Sequence, residues 1–343
     1  MAQDLFALTR KLIDIESITG NEADAGVAVA SELEALAAQY GGRVERMEVE
    51  PGRFNVFASF GEPVVTLSTH LDTVPPFFAS REDEDFIWGR GACDVKGIIA
   101  AMITAAAGLL SAGVRNFGLL FVVGEEKNSA GAYHAAKTPR GSRFLINGEP
   151  TENRLALGSK GALRYEFIAS GRMAHSAYPE LGESAIEKLL DALSRVRAAR
   201  LPVDPVLGPS TLNIGLIEGG RAPNVIADHA MATLMFRLVG DPAPIRSLVE
   251  QSAAGLAEAR EILCIPAVHL GALDGFETTV VAYTTDIPAF GGAWGTPYLL
   301  GPGSIHVAHT SEERVPKKQL AESVVLYQTM VKRLLASEGL VRH

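Results

Sequence analysis

The stretch "LLFVVGEEKNSAGA", residues 119–132, sets two carboxylates, Glu125 and Glu126, side by side at the end of an apolar run. Neighbouring residues of an extended chain point to opposite faces, so the two acids serve different objects unless the chain turns. Gly124 makes a turn available. Taken alone, such a pair is most often a solvated strand end. Further acids and imidazoles stand in comparable places: His70 and Asp72 in "STHLDTV", Asp94 in "GRGACDVKG", Glu149 in "INGEPT" and His309 in "VAHTSEE". Two imidazoles with several carboxylates make a mixed nitrogen–oxygen donor set suited to Zn2+ and, less selectively, to Co2+ or Mn2+. Each residue by itself would more often be a helix cap or a satisfied core group, so the set carries the signal.

The elements that must position these groups alternate. Up to about residue 158, short apolar runs ("VVTLSTH", "FGLLFVVGEE", "SRFLINGEP") are separated by helical segments at 4–16, 22–39 and 97–112. That order predicts an α/β domain with a buried, mostly parallel mixed sheet. The candidate ligands lie at the ends of its strands, where functional groups of open α/β sheets collect. From about residue 160 the pattern changes. "ALRYEFIAS" reads as a strand, "SAIEKLLDALSRVRAA" as a helix, and "TLNIGLIEGG" and "VIADHAMATLMFRLV" as strands. "IRSLVEQSAAGLAEA" reads as a second helix and "ILCIPAVHL" as a last strand. This is the split β-α-β-β-α-β arrangement of a ferredoxin-like α+β domain. The terminal helix "KKQLAESVVLYQTMVKRLLAS" resumes the first pattern. Residues 1–159 and 271–343 are therefore expected to form one domain, and 160–270 an inserted one.

The chain has 343 residues, which favours two domains over a single core. A net charge of −9 argues against a nucleic-acid partner, which needs a basic face. It suits a protein that neutralises carboxylates with bound cations. Cys93 and Cys264 form neither a CxxC pair nor a disulfide framework. The first helix, with Leu5, Leu8, Leu12 and Ile15 at helical spacing, is amphipathic and unlike a signal peptide, so a cytoplasmic location is expected. Gly97–Val114 is uncharged over eighteen residues, the lower limit for a membrane span. Its Ala and Gly content instead predicts a helix packed inside the protein, and no membrane partner is expected.

In order, "HLDTV", "GRGACDVKG", "GEEKNSAGA", "GEPT" and "AHTSEE" resemble the dinuclear zinc amidohydrolases and exopeptidases typified by acetylornithine deacetylase, succinyl-diaminopimelate desuccinylase and aminoacylase. The resemblance spans the whole chain. It implies a zinc-peptidase-like catalytic domain interrupted by a lid or dimerisation domain, and two Zn2+ ions, with Co2+ or Mn2+ as alternatives. It further implies that His70 and Glu149 bind one ion, Glu126 and His309 the other, and that Asp94 bridges them. Three carboxylates and two neutral imidazoles around two divalent ions leave a charge that one bridging hydroxide cancels, and ions about 3.5–4 Å apart lower the pKa of the water that yields it. Asp72 corresponds to the carboxylate that orients the His70 ring.

On the same grounds Glu125 is the general base, near the metal water without being consumed as a ligand. His175 in "MAHSAYP" matches a histidine that polarises the scissile carbonyl, commonly from a second subunit. Asn224 and Arg237 match substrate-binding positions, Arg237 being suited to gripping an α-carboxylate. The implied activity is hydrolysis of the amide of a small N-acylated amino acid, acetylornithine-like first. Release of lysine or ornithine from an amino-group carrier protein, and dipeptide hydrolysis, are alternatives with the same chemistry. The short segment between Asp72 and Asp94 lacks a longer stretch that many relatives have, which bears on substrate and not on chemistry. A homodimer is expected.

Other readings fail on the residues. "GRGACDVKG" has no third glycine of a dinucleotide fingerprint and no P-loop Lys-Ser or Lys-Thr. Ser304 beside His306 and His309 lacks a G-x-S-x-G elbow. His306 is the rival of His309 as ligand, and the "HTSEE" context favours His309. A non-catalytic binding protein would have no need of Glu125 beside a complete ligand set.

Overall fold

A computed structural model describes residues 4–339. In chain order its principal elements are α1 (Leu5–Ile13), α2 (Ala23–Tyr40), β1 (Arg43–Glu50), β2 (Arg53–Phe60), β3 (Val65–His70), α3 (Gly97–Ser111), β4 (Phe117–Val122), α4 (Ala130–Ala136) and β5 (Phe144–Asn147). There follow β6 (Gly161–Ser170), α5 (Ala185–Ala198), β7 (Thr211–Gly219), β8 (His229–Leu238), α6 (Ala243–Ala253), β9 (Glu258–Ile265), β10 (Thr296–Leu299) and α7 (Lys317–Ser337). The chain divides into two compact units. One comprises the chain up to Leu157, Leu270–Thr279 and the chain from Thr285 onward; the other comprises Gly158–His269 and Val280–Thr284.

The first unit is an α/β fold around a mixed six-stranded sheet in the order β1-β2-β4-β3-β5-β10. The four strands from β4 to β10 run parallel, and β2 and β1 add antiparallel pairings at one side. β3 and β4 are buried along their whole length; β4, FGLLFV, therefore reads as a continuous apolar run, whereas β3, VTLSTH, buries polar residues as well. The polar residues inside β3 are placed by hydrogen bonds: Thr69 Oγ1 donates to the Gly148 carbonyl at 2.7 Å, and Gly148 N–H donates to the Ser68 carbonyl at 2.8 Å.

The apolar helix α3 is a core helix. With the turn before it, Ala92–Ser111 is long and apolar enough to span a membrane, yet 83% of that window is buried within the protein. Its small residues admit close neighbours: a methyl group at Gly108 would collide with the Gln328 side chain of α7. Ile98, Ile99, Met102, Ile103, Leu109 and Leu110 are buried with Leu12, Val29, Leu33 and Tyr327 in one cluster. Each such aliphatic side chain contributes about 1.5–3 kcal/mol on burial.

The second unit carries one antiparallel four-stranded sheet, order β7-β8-β6-β9, with α5 and α6 in its core. Alternate residues of β8 face that core. Two expectations need correction here. The helix predicted over "IRSLVEQSAAGLAEA" ends at Ala253, because Gly255 takes a left-handed φ of 74° and the chain is extended again from Glu258. The strand predicted over "ILCIPAVHL" is split around Pro266, which has no N–H to give a ladder, into Glu258–Ile265 and Val268–His269.

Candidate metal centre

The parallel strands of the first unit carry its acids and imidazoles at their carboxyl ends. His70 closes β3, Glu125 and Glu126 lie in the turn after β4, and Glu149 follows β5. Asp94 sits in the kinked turn Ala92–Lys96 that leads into α3, where the Asp94–Val95 peptide is cis. His309 belongs to the loop between β10 and α7, with a left-handed φ of 63°, a conformation uncommon outside glycine. Gly148, next to Glu149, is closely packed: a Cβ there would press on the Ile98 and Met102 side chains of α3.

These residues form two ligand trios that share one member: His70, Asp94 and Glu149, and Asp94, Glu126 and His309, each with ligand atoms within 4.8 Å of one another. Asp94 faces both ways, Oδ1 lying 3.1 Å from His70 Nε2 and Oδ2 3.1 Å from His309 Nε2. His309 Nε2 is 3.0 Å from Glu126 Oε2, and His70 Nε2 is 3.9 Å from Glu149 Oε1. His306 is exposed and enters neither trio.

The turn that holds the two glutamates is built on Asp72. Its Oδ1 accepts the N–H groups of Gly124 at 3.0 Å and Glu125 at 3.1 Å; its Oδ2 accepts Glu126 N–H at 3.1 Å and the Thr19 hydroxyl at 2.8 Å. The His70 ring is oriented from the same residue. Nδ1 lies 2.9 Å from the Asp72 carbonyl oxygen and 3.5 Å from Oδ1, so the backbone carbonyl is the nearer partner. The Glu125 backbone is tied to Asp72, while its carboxylate is influenced by burial and by the charges of His70, Glu149, Asp286 and Glu126.

The electrostatics of the cluster are those of a cation site. Among the described residues, no lysine or arginine ion pair reaches Asp94, Glu126 or Glu149. The buried Glu149 Oε1 has no hydrogen bond among the described residues. Burial pushes Glu149 and Glu125 well above the usual carboxylate range and also raises Glu126. His70 is raised well above its usual value, the carboxylates of Asp72 and Asp94 outweighing the burial that would lower it. Hydrogen bonds to Asp94 and then Glu126 lift His309 to about 10. Asp94 itself is lowered despite burial, through His309 and His70. An N/O donor set with an orphaned buried carboxylate oxygen, and no lysine or arginine paired to it among the described residues, fits two divalent ions.

Three residues of the second unit are placed as follows. Ser176 N–H donates to the Asn224 carbonyl at 3.0 Å and Ile226 N–H to the Ala174 carbonyl at 2.9 Å, which sets the His175 and Asn224 loops side by side. His175 Nδ1 accepts the Ala177 N–H at 3.1 Å. Arg237, half-buried on β8, has neither an ion pair nor a side-chain hydrogen bond among the described residues, and burial lowers its pKa.

Several residues that shape the centre were not evident in the sequence. Thr19 reaches Asp72 from 53 positions away, and nothing in "SITGN" marks it. Asp286 is buried, with Oδ1 unpaired, and burial pushes it up to about 7. Arg90 and Glu313 form a buried ion pair beside Asp94. The acidic pair "EE" was the available signal for Glu313, and it served only as context for His309.

The chain belongs to Peptidase family M20/M25/M40, whose model matches residues 66–333. It is a metal-binding hydrolase of that family. A probable carboxypeptidase of Aspergillus niger is 36% identical, the match covering 96% of this chain and 89% of the relative. The fold is shared with aminopeptidase PepT from Bacillus cereus, at a TM-score of 0.80 and 19% identity, covering 96% of this chain and 98% of that one. It is shared also with a dinuclear metal binding peptidase of the M20 family from Bacillus subtilis, at a TM-score of 0.70 and 17% identity, covering 94% and 95%.

Proposed function

We propose that the chain is a two-metal amide hydrolase whose amine product is an amino acid with a free α-carboxylate. The observation that carries this reading is the pair of ligand trios sharing Asp94, beside Glu125 on the turn that carries Glu126. His70 and Glu149 would hold one ion, Glu126 and His309 the other, with Asp94 between them. Zn2+ is the ion proposed, with Co2+ or Mn2+ accepted by the same donors. When bound, the ions supply Lewis acidity that polarises a carbonyl and acidifies water.

The chain's own groups do the rest. Glu125 takes a proton from the attacking water at its carboxylate and returns it to the leaving nitrogen. Asp72 fixes the turn so that Glu125 and Glu126 point to different tasks. His175 donates to the developing oxyanion; Arg237, with no partner of its own, receives the α-carboxylate, and Asn224 supplies a further polar contact.

The sequence resemblance favours an acetylornithine-like N-acyl amino acid, and the Aspergillus niger relative's name favours a peptide C-terminus. Lysine or ornithine released from an amino-group carrier protein belongs to the same set when its α-carboxylate is free. In all of them the scissile nitrogen belongs to an amino acid whose carboxylate is free. The second unit is proposed to pair with a second copy along β7, an edge strand bonded only to β8, where Leu216 and Ile217 are 66% and 57% exposed.

Product release from N-acetylornithine, from a dipeptide and from the C-terminal amide of each tests the substrate class, with and without a chelator. Hydrolysis of the free acids and not of the amides is expected, and it should stop with the chelator. Equal hydrolysis of acids and amides would remove the carboxylate requirement.

A further inference from the structure

The second trio draws Asp94 and His309 from segments more than two hundred residues apart, and one further carboxylate joins those segments. Glu313 lies in the His309 loop and its side chain is 1% exposed. Its Oε1 accepts the N–H of Gly91 at 2.9 Å and of Asp94 itself at 3.3 Å. Its backbone carbonyl accepts Gly89 N–H at 3.1 Å. Its Oε2 lies 2.5 Å from Nη1 of Arg90, which is 2% exposed. Arg90 is held in turn: Nε donates to the Pro76 carbonyl at 3.2 Å, and the guanidinium lies over the Phe78 ring, 5.0 Å from its centroid. Gly91 has a φ of 87°, and a Cβ there would sit 3.0 Å from both Thr73 and Lys96 side chains. The turn carrying Asp94 is therefore packed on one side and tied to the His309 loop on the other.

We infer that Glu313, oriented by Arg90, is a positioning residue for the second ion site: it sets the separation between Asp94 and His309. A buried ion pair that merely stapled the fold would affect both trios alike. Glu313 instead holds the Asp94 backbone to the loop of His309, a ligand of the second trio only, while His70 and Glu149 are fixed by β3 and β5. The inference rests on the two-ion reading above.

The test is a Co2+ titration of the chelator-treated full chain, followed by calorimetry and by the visible absorption of the bound ion. Wild type should take up two ions, and His309→Ala identifies the step that belongs to the second site. Glu313→Gln should weaken that same step by roughly 10–100-fold, the range found when a group supporting a metal ligand is removed, and weaken the other step less, because Asp94 serves both trios while His70 and Glu149 stay fixed by β3 and β5. Gln keeps an acceptor oxygen for the Gly91 and Asp94 N–H groups but leaves the Arg90 charge uncompensated. The pair Arg90→Met with Glu313→Gln removes that charge, and should recover most of the lost affinity. Co2+ steps unchanged in Glu313→Gln, or weakened equally at both sites, would overturn the inference. So would failure of the double variant, folded by circular dichroism, to recover. A wild type that binds fewer than two ions would instead bring down the two-ion reading itself.

Discussion

The carboxylate of Asp72 accepts the backbone N–H of Glu126 at 3.1 Å, and its other oxygen accepts that of Glu125 at the same distance. One buried acid thereby shapes the turn that separates the proposed metal ligand Glu126 from the proposed base Glu125. Asp72→Asn keeps the size but replaces one acceptor oxygen with an amide donor facing N–H groups. Each N–H left without an acceptor costs about 1–3 kcal/mol. We expect denaturant unfolding to show a loss in that range, with turnover falling together with ion content. Thr19→Val, which removes a single hydrogen bond to the same carboxylate, should cost about 0.5–1.5 kcal/mol and leave ion content intact. Equal effects of the two substitutions would contradict the turn-building role.

Glu125→Gln preserves shape while removing the carboxylate proposed as the base. Turnover should fall at least ~100-fold, the lower range for loss of general-base catalysis, with both ions retained. Loss of an ion with activity per ion preserved would exchange the roles of Glu125 and Glu126.

Ion uptake should release protons. Asp94 and Glu126 hold His309 protonated up to about 10, and Asp72 and Asp94 raise His70 well above its usual value. An imidazole must be neutral to bind a metal, so the protonated form competes with the ion. The affinity therefore rises with pH and falls as the solution is acidified. It should rise by roughly tenfold per pH unit for each proton displaced. Calorimetry in buffers of different ionisation enthalpy counts those protons, and a pH-independent affinity near neutrality would contradict the assignment of both imidazoles.

The strand ends were legible in the sequence, because buried parallel strands leave apolar runs and the groups that follow them stand out. The split order of the second unit was legible from a different signal, alternating half-buried strands such as β8 separated by helical segments. What was not legible came from long-range geometry. Thr19, Asp286 and Glu313 reach the centre through loops whose local sequence carries no periodicity. The end of α6 depended on a single glycine, Gly255, embedded in a segment otherwise favourable to helix. The near partner of the His70 ring is a backbone carbonyl, which no side-chain pattern announces.

If His175 serves the partner's site in a dimer formed along β7, two inactive chains should complement each other. Equal amounts of Glu125→Gln and His175→Ala chains, after subunit exchange, should recover about a quarter of wild-type activity. Random pairing makes half the dimers hybrid, with one competent site of two. A dimer by sedimentation with no recovery would assign His175 to its own chain's site.

The central claim, two ions held by two trios that share Asp94, is tested most directly by counting metal per chain by elemental analysis after reconstitution with Zn2+. Wild type should hold two ions, and Glu149→Gln and His309→Ala should each lose one, while His306→Ala keeps both. Asp94→Asn should lose both, because each trio depends on it. An Asp94→Asn chain that still carries two ions, or a His306→Ala chain that loses one, would contradict the account.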